Sequence, residues 1–414
     1  MTEERFPTGF LWGVATSSHQ IEGGNHNNWT AWERQPGHVL DGSTSGKAAD
    51  FWHRYKDDIK SAAAMNLQAF RLSIEWSRIE PIEGEYDQVA LEHYGKILAE
   101  LEKHGLKPFV TLHHFTVPEW TAKYGAWTSR HVADKFVKYA LKVVGEFGAK
   151  VDFWITINEP SVEIGLGYAV GTFPPGRNDI PGFLKARRNV VHAHRAAYAQ
   201  IHALYELKGW VRPQVSIAHH LTYATARNPH NPLDRLAAWV YDQLNNAYFL
   251  EHTRHYADCI GVNYYFYRRL YFHFGGPLMI MAEAQVPRAP KSDLGWQIVP
   301  EGLFRVLQRV AAYNLPIYVT ENGLADADDD LRPWSIVQHA GAVHRAIAAG
   351  ADVRGYFHWT LLDTFEWENG YRARYGLIAV DFKTQTRTAR PSAKLFGDIA
   401  KHNALTSKML ERKP

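Results

Sequence analysis

Short apolar runs recur along this chain at residues 10–15, 69–73, 108–112, 153–157, 214–218, 259–263, 317–320 and 355–359. They are apolar on both faces, the pattern of parallel strands buried on both sides. Between them, residues 48–65, 87–104, 129–147, 183–207, 232–256, 300–313 and 332–349 read as amphipathic helices. Gly105 and Gly350 follow two of these segments closely, as C-terminal caps do. About eight strand-then-helix units, without a solenoid repeat or a flexible linker, predict an α/β fold. The expected form is a single (β/α)8 TIM barrel domain over residues 1–414. A doubly wound sheet is the alternative, but it would want a glycine-rich phosphate turn after the first strand. Thr16-Ser17-Ser18-His19-Gln20 is not one.

The segments that follow the strands are unusually rich in polar and aromatic residues. Ile155-Thr156-Ile157-Asn158-Glu159-Pro160 and Ile317-Tyr318-Val319-Thr320-Glu321-Asn322-Gly323 each run a β-branched strand into a glutamate and then a strand stop. Other such segments are Thr16 to Gly23, His113 to Trp120, Tyr264-Tyr265 and Thr360 to Trp367. In a barrel, all of them gather at the C-terminal ends of the strands, where barrel enzymes place their chemistry. A lone glutamate there is as well explained as a solvated strand end or an ion-pair partner. Two, from different strands, are what cleavage of a glycosidic bond needs.

Composition removes several alternatives. Charged residues make up 21% of the 414 residues and the net charge is +3, so no basic field points to nucleic acid or an anionic membrane. No apolar run is long enough to span a bilayer. The polar start Met1-Thr2-Glu3-Glu4-Arg5 and a single cysteine, Cys259, lead us to expect a cytoplasmic protein. Cys259 lies in a strand pattern and reads as a small buried hydrophobe. Most of the 14 tryptophans are expected in the core, and a subset near strand ends is expected to stack on sugar rings.

Phe10 to Gly23, Arg71 to Ile79, Thr156 to Pro160, Val319 to Gly323 and Trp359 to Trp367 resemble, in order, the motifs of the family 1 glycoside hydrolases, the β-glucosidase family. The resemblance covers nearly the whole chain. It implies retaining hydrolysis of terminal β-D-glucosides, with β-D-galactosides and fucosides as side substrates. It implies Glu321 as nucleophile and Glu159 as general acid/base, with the carboxyls about 5–5.5 Å apart. Arg71, Asn263 and Tyr265 would support the pair. Gln20, His114, Asn158, Glu366 and Trp367 would bind sugar hydroxyls, with Trp359 as the stacking platform. No cofactor or metal is implied, although His113-His114 is a pair of histidines. The partner is a small-molecule or oligosaccharide β-glycoside. Glu22, Glu33, Glu75 and Glu163 are rival carboxylates outside the catalytic motifs.

The chain also departs from the family. The segment before the sixth strand, around Asn245 to Asp258, is short. This predicts either a reshaped substrate entrance or a barrel flank covered by a second subunit in a homo-oligomer. Phe115-Thr116 stands where Trp-Asp is common, Thr364 where Asn is usual, and Gln297 where Glu is common. Residues 274–290 are expected to form a mobile loop over the aglycone site, and the acidic run 326–330 a solvated loop. Two other functions use the same residues. A transglycosidase would employ the same carboxylates, and a non-catalytic sugar-binding barrel would have no need to keep both.

Overall fold

The computed structural model describes residues 3–274 and 281–414. Eight strands close a parallel barrel. They are β1 (Leu11–Ala15), β2 (Ala69–Ser73), β3 (Lys107–Thr111), β4 (Phe153–Asn158), β5 (Gln214–His220), β6 (Ile260–Asn263), β7 (Ile317–Asn322) and β8 (Val353–Trp359). Each pairs in parallel with the next, and β8 returns to β1. A helix follows every strand: α1 (Phe51–Ala64), α2 (Gln88–Lys103), α3 (Arg130–Phe147), α4 (Ile180–Lys208), α5 (Pro232–Asp242), α6 (Pro300–Ala311), α7 (Arg332–Ala348) and α8 (Pro391–His402). The apolar runs form strands because helices cover one face and barrel side chains fill the other.

Local signals set the helix ends. Asp87 accepts from the Ala90 amide at the start of α2, and Asp179 from Gly182 at the start of α4. Gly105 and Gly350 take positive φ past α2 and α7, as expected of caps. The helix expected over 232–256 is instead α5, a π-turn at Gln243–Ala247, a short helix Tyr248–Thr253 and a 3-10 turn Arg254–Tyr256.

Several elements were not foreseen. Tyr223–Ala226, Tyr267–Phe272 and Met281–Ala284 form a three-stranded sheet beyond the ends of β5 and β6. The stretch 274–290 is therefore partly a strand of a hairpin and not simply a loop, while residues 275–280 lie outside the described residues. Gln297 ties the rest down, donating to the Val286 carbonyl and accepting from its amide at 2.7 Å each. The acidic run is solvated only in part, with Asp328 and Asp330 exposed. Asp326 and Asp329 are buried and hold the buried Arg332, and Asp329 also accepts from the Ser392 amide at 2.8 Å. Cys259 is buried, and burial pushes its thiol up to about 12.

The short segment before β6 leaves marks on the surface. Leu233, Leu236 and Trp239 of α5 are exposed. A groove of about 450 Å³ lies beside α4 and Tyr248–Thr253, lined by Arg187, Arg188, Arg195 and two histidines among others. No helix among the described residues is long and apolar enough to cross a membrane.

Candidate active site

Glu159 and Glu321 both stand where the ladder slips. The β4–β5 register shifts between Ile155 and Asn158, and the β6–β7 register between Val319 and Glu321. Such irregularities re-aim a side chain at a strand end. Glu321 remains within β7, one residue before its end, so the strand outlasts the predicted stop. Glu159 takes the left-handed conformation, with φ 42 and ψ 57, as it caps the helix Pro160–Ile164. This conformation is costly for a residue with a Cβ and is tolerated where the surroundings enforce it. Here the Glu159 amide donates to the Ala218 carbonyl at 2.7 Å, and proline opens the helix behind it.

The two carboxyls have different neighbours. Both oxygens of Glu321 face donors: Arg71 Nη1 donates to Oε1, and the Tyr265 hydroxyl to Oε2 at 2.9 Å. Burial pushes Tyr265 well up, so it remains a phenol and a donor. Glu159 accepts from Asn263 through Oε1 at 2.8 Å, and no hydrogen bond reaches its Oε2 among the described residues. Burial pushes Glu321 up to about 7; Arg71 opposes the rise, the charge of Glu159 adds to it, and the Tyr265 donation opposes it.

Arg71 is fully buried and reaches four partners. It donates to Glu321, to Asn158 Oδ1 at 2.6 Å, to Thr111 at 3.1 Å and to the Thr320 carbonyl at 3.2 Å. A guanidinium only donates, so it fixes the oxygen side of the Asn158 amide. Asn263 adds a second donor to that oxygen at 3.0 Å. The Asn158 nitrogen then points at His114 Nε2, 3.2 Å away. Burial, with Arg71 nearby, holds His114 well below its usual range, so the ring is neutral. With Nε2 accepting, Nδ1 carries the hydrogen, and that buried atom has no partner among the described residues.

The other predicted contacts converge on the same place. Glu366 accepts from the Thr364 hydroxyl and from Trp359 Nε1 at 3.2 Å, both through Oε1. Burial pushes its carboxyl up to about 8 against those two donors. Gln20 is pinned between the Phe365 carbonyl at 2.9 Å and the Ser17 hydroxyl at 2.7 Å. The His114 ring lies near-parallel to Trp359 and Trp367, with centroids 5.9 and 6.2 Å away. Phe115 packs with Trp29, Phe173 and Trp367, while Thr116 donates to Glu75 at 2.9 Å. The structure thus brings together Gln20, Arg71, His114, Asn158, Glu159, Asn263, Tyr265, Glu321, Trp359, Glu366 and Trp367.

The rival carboxylates are engaged elsewhere. Glu22 pairs with Arg78, Glu33 with His19, and Glu163 with His113. Glu75 accepts from Ser18, Ser77 and Asn27. The sequence reading missed His220, which ends β5 with Nδ1 3.5 Å from Glu159 Oε1. The signal was available: strand ends carry the chemistry in a barrel, and β5 ends in His219-His220.

The chain as a whole is similar to known proteins. The family model described as glycosyl hydrolase family 1 matches residues 2–260 and 252–405. Beta-glucosidase A of Thermotoga maritima is 32% identical, over 98% of this chain and 100% of the relative. A 1,4-beta-D-glucan glucohydrolase of Thermotoga neapolitana is 31% identical, over 97% of this chain and 100% of the relative. The solved beta-glycosidase from Pyrococcus horikoshii superposes with a TM-score of 0.90 at 34% identity, over 99% of this chain and 98% of its own. The Thermotoga maritima beta-glucosidase in complex with glucoimidazole superposes with a TM-score of 0.90 at 31% identity, over 97% and 100%. Matched along its length by the family model and by relatives of full coverage, the chain belongs to glycosyl hydrolase family 1.

Proposed function

We propose that the chain is a retaining β-glycosidase acting on terminal non-reducing β-D-glucosyl residues, with Glu321 as nucleophile and Glu159 as general acid/base. One observation carries the assignment: Glu321 has donors on both oxygens, whereas Glu159 has them on one. Donors favour the charged form. The donors on Glu321 oppose the rise that burial imposes and favour the carboxylate that attacks, while the bare Oε2 of Glu159 is the place for a proton to be transferred.

In the first step a Glu321 oxygen bonds to the anomeric carbon while the bond to the leaving oxygen breaks. Glu159 gives its proton to that oxygen. In the second step Glu159 takes a proton from water, whose oxygen displaces Glu321 from the same carbon. Two displacements preserve the anomeric configuration. Arg71 remains a fixed cation beside the carboxylate that is lost and regained, so little reorganisation is needed. The Asn158 amide has one hydrogen on His114 and a second available for a sugar 2-hydroxyl, where hydrogen bonds strengthen toward the transition state.

Gln20, the unpartnered Nδ1 of His114 and the free Oε2 of Glu366 are the polar groups for the more distant hydroxyls, with Trp359 beneath the ring. This set supports galactosides and fucosides as further substrates. Glu366 in the hydroxyl pocket argues against 6-phosphorylated sugars, because a carboxyl group supplies none of the positive charge that a phosphate needs. Residues 1–414 act as one catalytic domain, a reading supported by the pairing of Glu4–Arg5 with Ala404–Leu405. The lone buried cysteine suits the reducing cytoplasm.

The test is hydrolysis of aryl β-D-glucoside and β-D-galactoside followed by NMR. Release of the β-anomer first supports the reading. The α-anomer first, or no cleavage by folded protein, rejects it.

A further inference from the structure

We propose that His220 is a positioning residue for Glu159, confining the transferable proton to the oxygen that faces the leaving group. The inference rests on the acid/base role given to Glu159 above. His220 Nδ1 lies 3.5 Å from Glu159 Oε1, and both side chains are more than nine-tenths buried. Asn263 donates to the same oxygen from β6. His220 Nδ1 is buried without a hydrogen-bond partner among the described residues and stands just outside bonding geometry to Oε1. Once it closes on Oε1 beside Asn263, that oxygen has no place for a hydroxyl hydrogen, and the proton belongs on Oε2.

This requires His220 to carry its hydrogen on Nδ1, and the surroundings supply that tautomer. The ring Nε2 is 3.4 Å from Thr222 Oγ1. That oxygen already receives the Tyr241 hydroxyl at 3.4 Å and Asn245 Nδ2 at 3.5 Å. With both lone pairs taken, the Thr222 hydroxyl hydrogen is left for Nε2. Nε2 accepts, so the neutral ring is protonated on Nδ1. Contacts that are long or poorly aligned in an apo site tighten into hydrogen bonds as it fills.

Thr222 is itself anchored. Its amide donates to Asn246 Oδ1 at 3.0 Å, and Asn246 Nδ2 donates back to its carbonyl at 2.8 Å. Asn245 and Asn246 belong to the π-turn Gln243–Ala247. Turns of this type gather at functional sites because they push side chains out of helical register. The short segment before β6 thus supplies the support for the acid/base. The ring also stacks on Tyr265 at 6.4 Å and meets the edge of Phe266 at 5.6 Å. The titratable groups around it are Glu159 from the end of β4, Tyr265 from beyond β6, and Tyr241 of α5 through Thr222.

The arrangement acts in both half-reactions. Before glycosylation it aims the proton at the leaving oxygen. Afterwards the two donors hold the carboxylate, with Oε2 left to receive the proton of water. The consequence depends on the leaving group, since a good one leaves without protonation.

The test compares His220→Phe, Thr222→Val and Glu159→Gln on methyl β-glucoside and 2,4-dinitrophenyl β-glucoside. For His220→Phe, kcat/KM on the methyl glucoside should fall about 10-fold or more, with little change on the dinitrophenyl glucoside. Its alkaline limb in kcat/KM should move up by about half a pH unit, because a donor to the carboxylate is lost. Thr222→Val should move both readouts in the same direction, and it carries the test if the phenylalanine variant fails to fold. His220→Gln, which keeps an N–H donor, should recover part of the loss. Equal losses on both glucosides with an unmoved alkaline limb overturn the proposal, provided that Glu159→Gln discriminates between them. If Glu159→Gln does not discriminate, it is the acid/base role of Glu159 that fails.

Discussion

Arg71 stands 2.6 Å from Asn158 while its other Nη donates to Glu321. One planar cation from β2 thereby sets the position of a carboxylate on β7 and of the residue that precedes Glu159 on β4. The fork geometry does this, and a lysine ammonium cannot reproduce it. Arg71→Lys should therefore lower kcat/KM by roughly 10²-fold or more, mostly through kcat. Steady-state kinetics on an aryl β-glucoside, with circular dichroism as the control for folding, checks this. A change confined to KM would contradict it.

Burial pushes the Glu321 carboxyl up to about 7, outweighing Arg71 and Tyr265. A protonated nucleophile does not attack, so kcat/KM should fall as pH drops below about 7. Tyr265→Phe removes a donor to the carboxylate, and its acid limb should move upward by about half a unit. A pH–rate profile of both proteins measures the shift. A limb that stays in place would mean that Tyr265 does not act on this carboxyl.

Glu366 titrates near 8, above its ordinary 4.5. Between those values the native chain holds a proton that the unfolded chain has released. Its stabilising effect is complete below about 4.5 and is lost as pH rises toward about 8. Glu366→Gln keeps the shape and cannot ionise. The melting temperature of the variant minus that of the wild type should grow by several degrees from acidic to mildly alkaline pH, each unit of difference being about 1.4 kcal/mol. A pH-independent difference would refute this.

Gly323 is required for close approach and not for turn geometry. A Cβ there would lie 1.9 Å from the Trp359 carbonyl oxygen. Gly323→Ala should cost about 1–3 kcal/mol through overpacking and should displace both Glu321 and Trp359. Denaturant unfolding and kcat together test it, with normal values of both as the contrary result.

The barrel was legible in the sequence because parallel strands are covered on both faces, and uninterrupted runs such as 153–157 and 317–320 record that directly. Glu159 and Glu321 were legible for the same reason, as charged residues ending apolar runs. What escaped depends on tertiary contacts. The strand Tyr223–Ala226 is half-buried throughout and shows no alternation of buried and exposed positions. Asp329 looked solvated because the Ser392 amide that covers it lies 63 residues away. His220 lies two residues past the run 214–218 and gains its meaning only where β4 brings Glu159 alongside it.

The central claim is tested most directly by Glu321→Gly, assayed on an aryl β-glucoside with and without azide. The account predicts that hydrolysis is lost and that azide restores turnover, giving the α-glucosyl azide by a single inversion. Full activity without azide, or rescue that yields the β-azide, would contradict Glu321 as the nucleophile.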